Sequence, residues 1–282
     1  PISCPDDSTT VTASVVDSEG EAVDAGISVT FNTSDGSVNP VSNSTGGSGD
    51  ATSTLTYDWS SPSVTVTVSA SALIDVDGED YPVFNAIPVS FESGTGIFTD
   101  DFDDGNSDGW TEAGATNWNV AAGQYKTASN GDGVSSNGCA AWQDYEAQVE
   151  IKRNGSLGST EYVGLVFRFQ NSTQYYLAKL YCSSNCGGNS SDDVYSVALE
   201  TFDSGATSTL ASSTFTFDDN EYYSLKVSAI GDELNAKIWQ TSTAEPADWD
   251  ITATDVTYTQ GEIGLTTTKN TTTFDNVAVN PS

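Results

Sequence analysis

The feature that most constrains this chain is its alternation. Val, Ile, Phe or Tyr recurs at every second position, with Ser or Thr between, over run after run: Thr10-Val-Thr-Ala-Ser-Val-Val, Ile27-Ser-Val-Thr-Phe, Ala51-Thr-Ser-Thr-Leu-Thr-Tyr, Ser63-Val-Thr-Val-Thr-Val-Ser-Ala. A period of two puts one apolar face and one polar face on an extended strand. Asp35-Gly36, Gly46-Gly47 and Asp77-Gly78 break the runs as turns. Ser and Thr make up about a quarter of the 282 residues, a bias toward strands and turns over helices. The expected class is all-β.

Charge sets the next limits. Forty acidic residues face eight basic ones, for a formal charge of −32, and no Lys or Arg precedes Lys126. A phosphate backbone needs clustered Lys and Arg, so nucleic acid is excluded as a partner. No apolar run approaches the roughly 20 residues of a membrane-spanning helix. The absence of His removes Ser-His-Asp and Cys-His catalysis and the His-based zinc sites. Residues 1–99 carry 14 acids and no side-chain cation, so they repel one another unless salt or bound cations intervene. A marine, halophilic or calcium-rich setting is expected on this ground.

Four Cys are present. Cys182 and Cys186 lie in a polar turn, where a short local disulfide is expected. Cys4 and Cys139 remain, to bridge the N-terminal arm to the second domain within one chain or between neighbours. Pro1 at the start reads as a mature chain whose signal segment has been removed, with a trimmed chain as the alternative. Asn-x-Ser/Thr sequences at Asn32, Asn43, Asn154, Asn171, Asn189 and Asn270 permit glycosylation. An extracellular or cell-surface location follows.

Two domains are expected. About seven short strands in the first 92 residues predict an Ig-like β-sandwich. Ser93-Gly-Thr-Gly opens a linker over 93–99, and 100–282 carries about a dozen strands of a larger jelly-roll β-sandwich. The order Val11-Thr-Ala-Ser-Val-Val-Asp-Ser-Glu-Gly, Val29-Thr-Phe, Gly49-Asp-Ala-Thr-Ser-Thr-Leu-Thr resembles bacterial Ig-like repeats of invasin-type surface proteins. That resemblance implies a stalk or spacer. In the second domain the order Asp101-Phe-Asp-Asp-Gly, Gly109-Trp, Trp118-Asn-Val-Ala-Ala-Gly, Gly164-Leu-Val-Phe-Arg-Phe-Gln, Gln174-Tyr-Tyr-Leu-Ala-Lys-Leu, Gly261-Glu-Ile-Gly-Leu and Phe274-Asp-Asn-Val-Ala-Val resembles the laminin-G and concanavalin-A-like jelly rolls of extracellular carbohydrate-binding modules. The resemblance implies core positions for Trp110, Trp118 and Trp249. It also implies a structural calcium between the opening acidic segment and the closing strand, with Asp101, Asp103 and Asp275 as ligands. Oxygen-rich loops suit Ca2+; a solvated acidic turn is the alternative.

Period-two arithmetic places Val163, Leu165, Phe167 and Phe169 on one face of their strand and Tyr162 and Arg168 on the other. It likewise sets Tyr175, Lys179 and Tyr181 apart from Tyr176 and Leu180, and puts Lys226, Lys237 and Trp239 on polar faces. Sugar sites combine an aromatic platform with a few fixed donors, so Arg168, Tyr175, Lys179, Tyr181 and Trp239 are the expected glycan-binding residues. The alternative is cross-strand pairing of the cations with acids such as Glu146 or Glu150. Those two acids are the nearest approach to a glycosidase carboxylate pair, at a spacing unlike that of jelly-roll glucanases, so no enzyme is expected. The expected role is a non-catalytic adhesion protein whose partners are glycans. A self-assembling subunit of a filament, sheath or surface layer, partnered by copies of itself, is the alternative, and a glycoside hydrolase-associated module a lesser one.

Overall fold

The computed structural model describes residues 2–3, 8–57, 63–92, 98–127, 131–154, 157–186, 193–218 and 221–281. Every regular element among them is a strand. The chain divides into two compact units, residues 1–94 and 95–282.

The first unit holds β1 (Ile2–Ser3), β2 (Ser8–Ser14), β3 (Ser28–Thr33), β4 (Ser37–Asn39), β5 (Ser42–Ser44), β6 (Asp50–Thr56), β7 (Ser63–Val76) and β8 (Glu79–Glu92). They form a five-stranded sheet, β1-β8-β7-β3-β5, and a three-stranded sheet, β2-β6-β4. Alternate residues Val11, Val29, Phe31, Leu55, Val66 and Val68 are buried while their neighbours are exposed, as the period-two pattern requires. Tyr57 and Phe91 close this core with ring centroids 5.0 Å apart. The acidic cluster at 75–80 is a hairpin tip. Val76 pairs with Glu79, and Asp77 and Gly78 take φ of 55° and 87°, the left-handed pair that a two-residue hairpin turn demands.

The second unit contains β9 (Phe98–Asp100), β10 (Thr111–Gly114), β11 (Trp118–Val120), β12 (Tyr125–Thr127), β13 (Gly133–Asn137), β14 (Tyr145–Arg153), β15 (Tyr162–Asn171) and β16 (Gln174–Ser184). It continues with β17 (Val194–Asp203), β18 (Ala206–Phe215), β19 (Tyr222–Ile230), β20 (Glu233–Gln240), β21 (Ile251–Thr254), β22 (Glu262–Thr267) and β23 (Thr272–Pro281). One sheet runs β10-β13-β22-β15-β16-β17-β18; the other runs β11-β12-β23-β14-β19-β20-β21, with β9 added against β23. β9 thus begins within the last two residues of the stretch expected to be linker. The inward faces supply the core: Ala147, Val149 and Ile151 from β14, Val163, Leu165 and Phe167 from β15, Leu225 and Val227 from β19. Arg153 is also fully buried, its guanidinium over the rings of Tyr195 at 4.6 Å and Phe217 at 4.0 Å, a cation–π arrangement.

The opening motif becomes an aromatic cluster. Phe102 stacks on Tyr125 at 5.1 Å and Tyr125 on Trp118 at 4.9 Å, with Trp110 beside them. Trp110 Nε1 donates to Asp100 Oδ2 at 2.7 Å. Trp110 and Trp118 are buried. Trp249 is only half-buried, because the segment carrying it lies outside a sheet. Cys182 and Cys186 form a disulfide. Cys139 is also disulfide-bonded, while Cys4 and Asn189 lie outside the described residues. Asn32, Asn154 and Asn171 are exposed and Asn43 half-buried. Asn270 is buried, which closes its amide to a glycan in the folded chain.

Candidate functional site

The residues expected to bind glycan fall into three places. Tyr175, Lys179 and Tyr181 alternate along β16 on the outer face of the seven-stranded sheet, away from buried Tyr176, Ala178 and Leu180. Cross-strand register adds partners to that face. Tyr162 stands opposite Tyr181, and Phe202 and Glu200 stand opposite Tyr175 and Leu177.

The polar centre of this face is an ion pair. Lys179 Nζ lies 2.8 Å from Glu200 Oε1, with the two side chains 16% and 6% exposed. Thr209 Oγ1 donates to the same carboxylate oxygen at 3.0 Å. The ammonium also sits over the rings of Tyr181 at 4.7 Å and Tyr162 at 5.5 Å. An ammonium has three donors, so its pairing with Glu200 leaves it able to donate to a ligand oxygen. Burial pushes the phenols of Tyr162 and Tyr175 above their ordinary pKa. They therefore stay neutral near pH 7 and act as hydrogen-bonding groups.

Beside the pair, on the same side of the sheet, Val134, Val166, Phe169, Tyr175 and Leu177 form a buried apolar cluster against which Tyr162 and Phe202 pack. Tyr175 stacks between Phe202 at 4.8 Å and Phe169 at 5.9 Å. Phe169 reaches this face because the β15 ladder is irregular between Phe167 and Asn171, and Arg168 takes a φ of 45°. Simple alternation had put Phe169 with Phe167, on the inner face.

The same irregularity carries Arg168 inward, to 1% exposure. Its Nη1 donates to the carbonyls of Gly231 and Tyr258 at 2.9 and 3.0 Å, and Nε and Nη2 donate to Gln143 O at 3.2 and 3.0 Å. Asp144 lies 3.6 Å from Nη2. Gly261 makes room for this bend: with φ of 146°, any Cβ there would meet Arg168 C at 2.4 Å. Arg168 ties loops together and does not face a ligand surface.

Trp239 belongs to the other sheet. It alternates with Lys237 on the outer face of β20, where Lys237 stands opposite Lys226 of β19. The segment 241–250 lies over this face. Glu245 pairs with Lys237 at 2.7 Å and Lys226 at 3.1 Å, and Lys226 pairs with Glu146 at 2.8 Å. Lys237 also donates to Pro246 O at 2.8 Å and sits under the Trp249 ring at 4.7 Å. The hydrogen bond from Lys237 holds the Glu245 carboxyl below its usual pKa. Glu150, the second acid of that strand, accepts from Asn276 Nδ2 at 3.1 Å. These cations and acids serve one another, so Trp239 is remote from the Lys179 face.

The acidic residues expected to hold calcium come together only in part. Asp101 lines a cleft of ≈ 530 Å³ with Asp104, Asn106, Asp108 and Asn276. Asp275 is hydrogen-bonded by Asn276 N at 2.8 Å and Gln124 Nε2 at 3.5 Å. Burial raises its pKa, with smaller contributions from Glu150 and Asp103. Among the described residues no three acidic side chains converge as an ion's ligands would. Asp101, Asp103 and Asp275 thus do not form a shared three-carboxylate set.

Tyr162, Glu200 and Phe202 complete the Lys179 face and were not among the expected residues. Alternation puts Tyr162 on the polar face of its strand, but only cross-strand register sets it, Glu200 and Phe202 beside Tyr181, Leu177 and Tyr175.

Two antiparallel sheets with their inner faces packed together define the second unit as a jelly-roll-type β-sandwich. The fold is shared with a xylan β-1,4-xylosidase from Bacillus halodurans C-125, at a TM-score of 0.51 and 10% identity, over 77% of this chain and 51% of that one. Carbohydrate-binding module CBM66 from Bacillus subtilis aligns over 61% of this chain and 95% of its own at 23% identity and a TM-score of 0.49. The exoplasmic/lumenal domain of VIP36 aligns over 67% and 90% at 13% identity and a TM-score of 0.46. No protein-family model matches the sequence, and comparison with curated proteins gave no match.

Proposed function

We propose that the second unit is a non-catalytic glycan-binding module whose binding surface is the outer face of the seven-stranded sheet. The first unit is then an Ig-like spacer that presents it outside the cell. One observation carries the reading: Lys179 is fixed by Glu200 between the rings of Tyr162 and Tyr181. A sugar ring has an apolar C–H face and a rim of hydroxyls. Tyrosine rings match the first, and a carboxylate and an ammonium held in place match the second, with little ordering left to do on binding. The Cys182–Cys186 disulfide supports an oxidising, extracellular compartment. Among the described residues no helix is long and apolar enough to cross a membrane.

The test is a glycan array followed by titration of the best hit. Tyr181→Ala and Lys179→Met should each weaken binding by on the order of tenfold or more, about 1.4 kcal/mol, while Trp239→Ala leaves it unchanged. Loss on Trp239→Ala with Tyr181→Ala silent would move the site to the other sheet and sink this reading.

A further inference from the structure

The two sheets of the first unit are unequal among the described residues. The larger sheet has five strands and the smaller has three. Val68 and Ala72 of β7 point into the core, and their register partners on β8, Ile87 and Val83, share that face. Yet Ile87 is 47% exposed and Val83 40%. Both line an open groove of ≈ 290 Å³ whose other wall is residues 11–14 of β2 with Val15 just beyond them. β2 is the edge strand of the smaller sheet.

The two edges bordering this groove differ in what they offer. Thr67 N and O both bond to Ser34, away from β8. Its register partner Pro88 therefore directs its backbone outward, as do Pro82 and Ala86 at even spacing along the same unbroken ladder. Proline has no N–H, and Ala86 N–H is taken by Asn85 Oδ1 at 2.8 Å. Of the outward positions 82, 84, 86 and 88, three thus offer no free N–H, which makes the β8 edge a poor one for a further strand. β2 has no such block. Val15 N–H donates to Gly49 O, so in the β2–β6 register Ala13 and Val11 also face β6. Thr10 and Thr12 then turn their N–H and C=O groups toward the open side.

The electrostatics choose among occupants. Residues 1–94 contain 14 acids and no Lys or Arg. Glu79 and Asp80 at the start of β8 and Asp17 and Asp50 by the end of β2 lie at the same end of the groove, since Ser14 pairs with Asp50, Val29 with Ala72 and Ala72 with Val83. We infer that this groove binds an extended peptide of alternating apolar residues with Lys or Arg at one end, added as a fourth strand beside β2. Its apolar side chains cover Val83 and Ile87, its main chain bonds to Thr10 and Thr12, and its cations meet the acidic end.

The experiment uses the whole chain and three synthetic peptides of about eight residues: alternating Val and Thr with Lys at one end, the same with Asp at that end, and a scrambled Lys version. The Lys-ended alternating peptide should bind. It should slow amide exchange at Thr10 and Thr12, and lose affinity from about 0.1 to 1 M salt. The other two should bind on the order of tenfold more weakly or worse. Thr12→Pro removes one outward N–H and no ladder bond, so it should abolish binding without lowering Tm; Val83→Asp should abolish it independently. Equal binding of all three peptides, no binding, or binding indifferent to both substitutions would overturn the proposal. So would Thr10 and Thr12 protection that rises with protein concentration in the absence of peptide, which would mean a second copy fills the groove.

Discussion

Lys179 and Glu200 form an ion pair 2.8 Å long on the outside of a sheet, yet both side chains are largely shielded, at 16% and 6% exposure. The rings of Tyr162 and Tyr181 and the neighbouring apolar patch exclude water from it. Removing one partner leaves the other charge poorly solvated. Lys179→Met and Glu200→Gln should each cost about 2–3 kcal/mol, slightly below the cost for a fully sealed pair. The double substitution should cost less than the sum of the two. Chemical denaturation of the four proteins gives the coupling; strict additivity would mean that the pair is not shielded in solution.

Arg168 predicts a purely structural loss. Its guanidinium meets three backbone carbonyls from three separate segments, those of Gln143, Gly231 and Tyr258. Arg168→Ala strands these acceptors and should cost about 3 kcal/mol or more. Arg168→Lys should recover little, because one ammonium cannot span a planar fork's directions. Glycan affinity per folded molecule should be unchanged, which equilibrium binding below the melting range would check.

The contrast between Arg168 and Lys179 shows what the sequence holds. Strand positions were legible because alternation is local, and Tyr175, Lys179 and Tyr181 do share one face. Arg168 and Phe169 were misplaced because an irregular ladder leaves no mark on alternation: polar Arg168 turned inward and apolar Phe169 outward. Trp239 was grouped with Lys179 because both lie on polar faces, and only sheet topology reveals that those faces belong to opposite sheets. Glu200 was invisible for the same reason. It reads as one acid among forty until register sets it beside Leu177 and within reach of Lys179.

The segment 241–250 should open at both ends of the pH scale. Glu245 has its pKa lowered, mainly by the hydrogen bond from Lys237 and despite burial. A lowered acid contributes stability above its unfolded value and loses it as pH falls through the folded value. Lys226 is desolvated, but its pairing with Glu146 and Glu245 outweighs this and raises its pKa. That contribution is complete below 10.5 and is lost as pH rises through the folded value. Fluorescence of Trp249 should therefore hold steady across neutral pH and change only as pH falls below 4.5 or rises above 10.5. Glu245→Gln should remove the acid transition. An unchanged acid transition in that variant would show that Glu245 does not hold the segment.

Asp275 makes the opposite prediction, and it separates general screening from specific ion binding. Burial first, then Glu150 and Asp103, raise its pKa above the ordinary 3.8. Below 3.8 both folded and unfolded forms are protonated and the residue contributes nothing. Above the folded value, ionisation opposes folding by the full shift. Asp275→Asn keeps an acceptor for Asn276 N and should be the more stable protein at pH 7, with the gain vanishing below about pH 3. Salt should mimic part of it. Raising NaCl from about 0.1 to 1 M shortens the screening length from about 10 to 3 Å. In a chain of charge −32, that should raise Tm by at least about 3 °C, the shift that ~1 kcal/mol produces at this size. Because Asp101, Asp103 and Asp275 do not converge, CaCl2 and MgCl2 at equal ionic strength should raise Tm alike. A calcium-specific rise that disappears in Asp275→Asn would instead place an ion between the opening loop and β23.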